Sequence, residues 1–434
     1  MPDEILSTSG MFQNMNRRPR SLLLPFAAGH FANDLAPVSV LVLAPAIALD
    51  LELSTTEVGL LIAIQSWGAA LGFLPSGMLA DVVSNRGRLM LITFWWVAVG
   101  HWFASFAPGF WWLAVLLALA GFGDAAWHPL ATTILVQNDP QRRAQALGIH
   151  AIGGTLSGVI GPLLVGFLLT IIDWRQTLQI IALPGALMGV AFFVIAKWIP
   201  VQQTTGKVSR ADFSALARTW FNGRGLRIIA MISTYHMALV AMISMIPLYL
   251  QEFHGLSSSE TGIAYAVMVL AGAVGQPFIG RLSDRVGRRK VIVLGNGLAA
   301  AAAFSVRFFE QEGWLFAILG ALLIGVALLE CVRSAILAAA VEYAGTREGA
   351  TLGFAFSLMD GIGAFGAVLA GWVASFYFSN AFLLAGGLAL LAVLACFTVS
   401  LQATAAPEAT SRHGFDDKMN EGGRNLSVTN TVRE

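Results

Sequence analysis

Twelve apolar stretches of about 20 residues or more dominate this chain and limit what it can become. A helix needs roughly 20 mostly apolar residues to cross the hydrocarbon core of a bilayer. No water reaches the backbone there, so only helices and closed barrels span it. Barrel strands are short and alternate in polarity, whereas these runs are long and unbroken. The first six are expected at about 21–49, 57–80, 89–107, 110–137, 145–172 and 176–197. The second six are expected at about 226–251, 261–280, 290–308, 313–341, 350–377 and 379–402. The reading is an all-α membrane protein with two six-helix lobes, 21–197 and 226–402. A polar linker, 198–225, joins the lobes, and polar tails occupy 1–20 and 403–434. The C-terminal tail is rich in Asn, Gly, Glu and Ser, a composition expected to stay disordered.

Composition agrees with the spans. Of the 434 residues, 56% are hydrophobic and only 12% charged, against roughly 25% charged in soluble domains. That excludes a disordered chain, a fibrous repeat and an ordinary soluble enzyme. A net charge of +1 gives no polybasic signature for nucleic acid. The two cysteines, Cys331 and Cys396, sit in apolar runs and offer neither a disulfide framework nor metal-ligand spacing. No metal or cofactor is expected. The first 20 residues lack an apolar core followed by a small-residue cleavage site, so no cleaved signal peptide is expected.

The few charges are sorted by side. All but three of the 26 Lys and Arg residues lie in the tails, the linker and the even-numbered loops. Arg175 and Arg307 sit on the other side among acidic residues, and Arg333 lies inside a span. Positive loops mark the cytoplasmic face, so both termini are expected in the cytoplasm, which requires an even number of spans. The expected location is a bacterial inner membrane, and the expected state is a monomer.

The halves repeat. Leu53-Ser54-Thr55-Thr56-Glu57-Val58-Gly59 returns as Leu256-Ser257-Ser258-Ser259-Glu260-Thr261-Gly262, and Gly77-Met78-Leu79-Ala80-Asp81 as Gly280-Arg281-Leu282-Ser283-Asp284, at one common offset. A Ser followed three residues later by Glu is a capping box that opens a helix. Two matches at one offset imply duplication.

The eighth loop, Gly280-Arg281-Leu282-Ser283-Asp284-Arg285-Val286-Gly287-Arg288-Arg289-Lys290, resembles the signature loop of the major facilitator superfamily. The second loop keeps Gly77 to Asp81, then inserts about three residues before Arg86-Gly87-Arg88 and lacks the Arg that follows the Asp. The resemblance implies gating contacts by Asp81, Arg86 and Arg88 in one half. In the other half it implies Gly280, Asp284, Arg285, Gly287 and Arg288. Physically, an Asp at a helix end beside Arg residues is placed to latch two helices together.

A narrower likeness concerns two spans. His30-Phe31-Ala32-Asn33-Asp34 in span 1 and Trp127-His128-Pro129 in span 4 resemble the fosmidomycin-resistance branch of that superfamily. This implies proton-driven export. Span 4 lacks the Arg common in proton-coupled members. Gly158-Val159-Ile160-Gly161-Pro162 in span 5 loosely resembles the Gly-Pro motif of antiporters.

A charge at mid-span costs about 2.5–3.5 kcal/mol on the insertion scale, so such residues face a cavity or a partner. Here they are His30, Asp34, His101, Asp124, His128, His236, Glu330, Arg333 and Asp360, with His150 nearer a helix end. In the fold implied by the resemblance, spans 1, 4, 7 and 10 line a central cavity, and seven of these ten residues fall there. His30 with Asp34, and Asp124 with His128, are four apart and share a helix face. Glu330 and Arg333 are three apart and can pair. Histidine titrates near neutral pH, and burial disfavours a charged carboxylate. Asp34, Asp124, His30, His128 and Glu330 are therefore the proton-coupling candidates. Arg333, Trp127, His236, Asp360, Gln65, Tyr235 and Gln276 are the substrate-binding candidates. The glycines of spans 5 and 11, Gly153, Gly154, Gly361, Gly363 and Gly366, are expected to pack between the lobes.

The sequence therefore suggests export of a small, partly hydrophobic compound, antibiotics included, in exchange for protons. Import of an anionic metabolite with protons through Arg333 is the alternative, and a non-transporting receptor or scaffold a third. No phosphate-binding loop occurs, so ATP is not expected to drive the process. No catalytic serine or His-Glu-x-x-His motif occurs, so an enzyme is not expected.

Overall fold

The computed structural model describes residues 21–138, 142–201, 214, 217–344 and 348–400. The expected tails and most of the linker lie outside them. Ten helices follow the first ten predicted runs closely. They are α1 (Leu23–Asp50), α2 (Thr55–Val82), α3 (Arg86–Ala104), α4 (Phe110–Asn138), α5 (Arg143–Leu168), α6 (Trp174–Ile195), α7 (Gly223–Leu248), α8 (Ser258–Val286), α9 (Arg288–Gln311) and α10 (Leu315–Ala344). The eleventh run differs from expectation. It is broken into α11 (Glu348–Gly363) and α12 (Phe365–Ala374), and α13 (Asn380–Thr398) is the last. Among the described residues there is no strand.

Eleven spans are long and apolar enough to cross a membrane by length and composition. The exception is α3, whose 19 residues include Arg86, Arg88, His101, Trp95, Trp96 and Trp102. These dilute its hydropathy without shortening it.

The helix starts are set locally. Ser54 and Ser257 each accept a bond from the backbone of the Glu three residues on, and each Glu carboxylate returns to the Ser backbone at 2.8 Å. Both capping boxes read from the sequence are present at equivalent places. At the opposite end of α8, Gly287 adopts φ +97°, which a side chain would strain. That lets α9 begin directly at Arg288.

The duplication is visible in the packing. α2 packs on α4 as α8 packs on α10, and α1 on α5 as α7 on α11. α3 meets α6 as α9 meets α13. The lobes join through α5 against α8 and α2 against α11 and α12. Burial identifies the inner helices. In their most apolar stretches α7 is 78% and α1 67% buried, against 33% for α6 and 28% for α8. Phe316, Leu49 and Leu24 are largely exposed, as side chains facing lipid should be.

Toward the end of the bundle that carries the acidic loops, the lobes touch backbone to backbone. A Cβ on Gly59 would lie 2.2 Å from the Ala367 carbonyl oxygen, and one on Gly371 2.3 Å from that of Thr55. On the other seam, Gly166 faces Ser258 and Gly262 faces Pro162 in the same way. The glycines expected between the lobes mostly serve elsewhere. Gly153 and Gly154 pack on α1 of their own lobe, against Ala27 and His30, while Gly363 and Gly366 pack on His236 and Met237 of α7. Helical periodicity turns those positions toward the nearest neighbour in the same half. Only Gly361 of this set meets the other lobe, where its carbonyl accepts a bond from Trp67.

Candidate functional site

The ionisable residues of α1 and α4 form one cluster. His30 Nε2 lies 3.1 Å from Asp34 Oδ2, one turn along α1. His128 Nε2, from α4, lies 3.6 Å from the other Asp34 oxygen and 3.9 Å from Asp124 Oδ1. Asn33 ties the two carboxylates, donating from Nδ2 to Asp124 at 2.5 Å and to Asp34 at 3.2 Å. Sequence spacing placed the pairs on their helix faces, but not Asn33 between them.

His150 on α5 completes the cluster; the sequence marks it as an ionisable residue near a helix end but gives it neither a proton-coupling nor a substrate-binding role. His30 Nδ1 lies 2.8 Å from the His150 carbonyl oxygen, and the two rings stack at 4.2 Å. A carbonyl oxygen can only accept, so Nδ1 carries the hydrogen. Nε2 then faces a carboxylate oxygen. A bare lone pair there would be repelled, so the contact requires a proton on the imidazole or on the carboxyl. The His30–Asp34 pair thus holds one proton that has two available homes.

Trp127 is fully buried and packs 5.2 Å from the His150 ring and 5.4 Å from His30. It is placed to brace the cluster rather than to line the cavity. Phe73 of α2 stacks over His128 at 6.0 Å and over Phe356 of α11 at 5.5 Å, bridging the lobes. The ligand atoms of His30, Asp34 and His128 lie within 4.8 Å of one another, a grouping a metal ion can use. Both Asp34 oxygens already have protein partners in His30, Asn33 and His128.

Beside this cluster, a cavity of about 200 Å³ lies between the lobes. Its apolar wall includes Val40, Leu41, Leu239, Val240 and Ile243, and its polar wall includes Gln65, His236, Glu330, Arg333 and Asp360. Arg333 Nη1 is 3.7 Å from Glu330, and His236 Nε2 is 3.6 Å from Asp360. Gln65 is also bonded to the Pro37 carbonyl at 3.1 Å. Tyr235 is fully buried, its hydroxyl donating to the Leu329 carbonyl at 2.8 Å. Gln276 donates to the Glu330 carbonyl at 3.1 Å. Tyr235 and Gln276 therefore position α10 from behind. His101 is buried and bonds to the Val97 carbonyl of its own helix at 2.9 Å, away from the cluster.

The break in the eleventh span shapes this wall. A Cβ on Gly363 would lie 2.3 Å from the His236 ring, so the missing side chain admits the histidine that faces Asp360. One residue past Asp360, Gly361 offers its carbonyl to Trp67 Nε1 of the other lobe at 2.9 Å.

At the basic end, residues of each signature loop bond to a neighbouring helix of their own lobe. Arg288 pairs with Asp284, donates to Glu342 on α10 at 3.0 Å, and donates to Ser283 at 2.5 Å. Arg86, the first residue of α3, bonds to Gln137 on α4. It is thus the counterpart of Arg288, which begins α9 and reaches α10, and the inserted residues of the second loop do not disturb that placement. Arg88 is exposed, with its backbone N–H on Asn85 at 3.1 Å, and Arg285 is exposed too. Gly280 faces Ser334 of α10. The side chain of Asp81 lies outside the described residues.

A bundle of twelve spans in two like halves around a cavity with one polar and one apolar wall is the architecture of a multi-pass membrane transporter, not of an enzyme. The chain belongs to the Major Facilitator Superfamily, whose family model matches residues 26–270 and again 235–427. It is 27% identical over 401 residues to the hexuronate transporter of Bacillus subtilis strain 168, covering 86% of this chain and 92% of that one. It is 23% identical to the fosmidomycin resistance protein of Escherichia coli K12, over 81% of this chain and 86% of that one. It is 25% identical to a probable sugar efflux transporter of Helicobacter pylori strain ATCC 700392 / 26695, over 62% and 67%. Among solved structures, the nucleoside transporter NupG superposes with a TM-score of 0.69 at 15% identity, covering 87% of this chain and 98% of that one. An inward-facing, unoccupied bacterial homologue of the lysosomal transporter Spinster gives 0.67 at 19%, covering 87% and 95%. At such identities these two likenesses speak to the fold.

Proposed function

We propose that this chain exports a small, partly hydrophobic compound in exchange for protons, by alternating access. The observation that carries the reading is the His30–Asp34 pair, which needs a proton and sits beside a cavity between the lobes. Asp34 and Asp124 carry the proton, and His30 and His128 relay it. Asn33 couples the two carboxylates, so a proton gained by one is felt by the other. Glu330, Arg333, His236 and Asp360 form the opposing wall, where the substrate binds. Both termini face the cytoplasm of a bacterial inner membrane, the protein acts as a monomer, and ATP takes no part. The likeness to a fosmidomycin resistance protein and to a probable sugar efflux transporter supports export.

The partly exposed side chain of Arg333 and the likeness to a hexuronate transporter favour a second reading, proton-linked import of an anionic metabolite. Drug susceptibility in an efflux-deficient host separates the two. Export predicts protection by the native protein that Asp34→Asn removes. No protection across a broad panel, with proton-driven uptake into vesicles instead, would replace export by import.

A further inference from the structure

The two walls of the site differ in one respect. In the cluster of α1 and α4 both carboxylates and His30 have hydrogen-bond partners within the protein, although Asn33 Oδ1 and His150 Nδ1 have none. On the opposite wall it is the charged groups themselves that lack them. Among the described residues, no hydrogen bond to the charged group of Arg333, Glu330 or Asp360 is present. Their ion-pair contacts, 3.7 Å for Arg333–Glu330 and 3.6 Å for His236–Asp360, exceed hydrogen-bond length. A structural Arg–carboxylate pair closes to about 2.7–2.9 Å and is often bidentate. His236 adds a buried Nδ1 with no partner. Arg333, Glu330 and Asp360 keep 34%, 21% and 26% of their side-chain surface exposed, and all three line the cavity.

We propose that this wall recognises a small dipolar substrate, with an anionic group on Arg333 and a cationic ammonium group held by Asp360 and Glu330. The assignment rests on the transport reading and names its substrate class. Removing these charges from water is costly unless each is paired and hydrogen-bonded, and a ligand offering both signs can complete all three as it displaces water from the cavity. An anion alone leaves two carboxylates unmet, and a cation alone leaves the guanidinium. The apolar wall of Val40, Leu41, Leu239, Val240 and Ile243 takes a compact aliphatic body. The cavity, at about 200 Å³, falls below the roughly 300–1,000 Å³ of sites for drug-sized ligands, so the molecule is small.

The test uses the purified full chain in detergent and four probes sharing one branched skeleton. These are L-leucine, L-leucinamide, 4-methylpentanoate and isoamyl alcohol, with binding read by calorimetry at neutral pH. L-Leucine is expected to bind at least about tenfold more tightly than either singly charged probe, which is about 1.4 kcal/mol. Arg333→Gln should erase its advantage over leucinamide, and Asp360→Asn its advantage over 4-methylpentanoate. Equal binding of a singly charged probe, no binding of any probe, or an unchanged ranking in both variants overturns the proposal. Proton-linked flux of another cargo alongside such a result would leave the transport reading intact. The expected ranking without any flux driven by a pH gradient would instead sink proton coupling alone.

Discussion

His30 Nδ1 donates to the carbonyl oxygen of His150 at 2.8 Å, across from α1 to α5. That bond fixes the tautomer of His30 and aims Nε2 at Asp34. Because the acceptor is a backbone atom, the aim survives replacement of the His150 side chain, while the ring stacked at 4.2 Å does not. His150→Ala should therefore keep proton-linked transport but weaken it, whereas His30→Ala should abolish it. Proton uptake in proteoliposomes with an imposed pH gradient separates the two variants.

Asp34→Asn and Asp124→Asn each remove an ionisable group from the cluster, and Asn33 bridges both. Each variant should lose most of its transport driven by a pH gradient, because a group that takes up the proton is gone. Counterflow at symmetrical pH should persist, because substrate meets the other wall. Variants whose flux keeps the native dependence on pH would refute the proton assignment.

Gly154 has no room for a side chain. A Cβ there would lie 2.6 Å from His30 Nε2, the atom facing Asp34. Gly154→Ala should cost about 1–3 kcal/mol, the usual penalty of overpacking, or else displace the His30 ring. Thermal unfolding in detergent measures the first outcome, and loss of proton-driven flux in a well-folded variant measures the second.

Ser54 and Ser257 occupy equivalent capping boxes at the starts of α2 and α8. Replacing either by Ala should cost roughly 1 kcal/mol. The sites belong to different lobes, so the double variant should show the sum. A double-mutant cycle on unfolding checks this, and a strongly non-additive result would show the two starts to be coupled.

Trp67 Nε1 bonds to the Gly361 carbonyl across the lobes. Trp67→Phe keeps most of the ring and removes the donor. It should shift the lobes toward separation at that seam by the worth of one hydrogen bond, about 0.5–1.5 kcal/mol. Cross-linking rates of cysteines placed on α2 and α11 report the shift. An unchanged rate would remove Trp67 from the conformational balance.

The spans and the duplication were legible because each rests on local signals. Run length, the Ser-x-x-Glu boxes and the sorted arginines need no knowledge of neighbours. The same holds for the pairs His30–Asp34 and Asp124–His128, which helical periodicity alone puts on one face. Residues whose roles depend on three-dimensional packing were not legible. Asn33 lies on a buried face between two carboxylates, and His150 reaches the cluster through its carbonyl and its ring, neither of which spacing reveals. Trp127 read as a cavity residue because it adjoins His128, yet one step along a helix turns a side chain by about 100° and sends it into the packing. The break after Gly363 lacks a proline, and the glycines around it read from sequence as packing positions between the lobes rather than as a break. Gly363 and Gly366 are explained by His236 and Met237, far back along the chain.

The glycine seams have a consequence for how this molecule can change shape. At Gly59, Gly371, Gly166 and Gly262 the contact is main chain on main chain, with no side-chain rotamers to absorb a small displacement. Contacts of this kind have a short reach and no slack. Even a slight separation of the halves there loses the contact. Parting the lobes at the acidic end therefore means breaking both seams, α2 on α12 and α5 on α8.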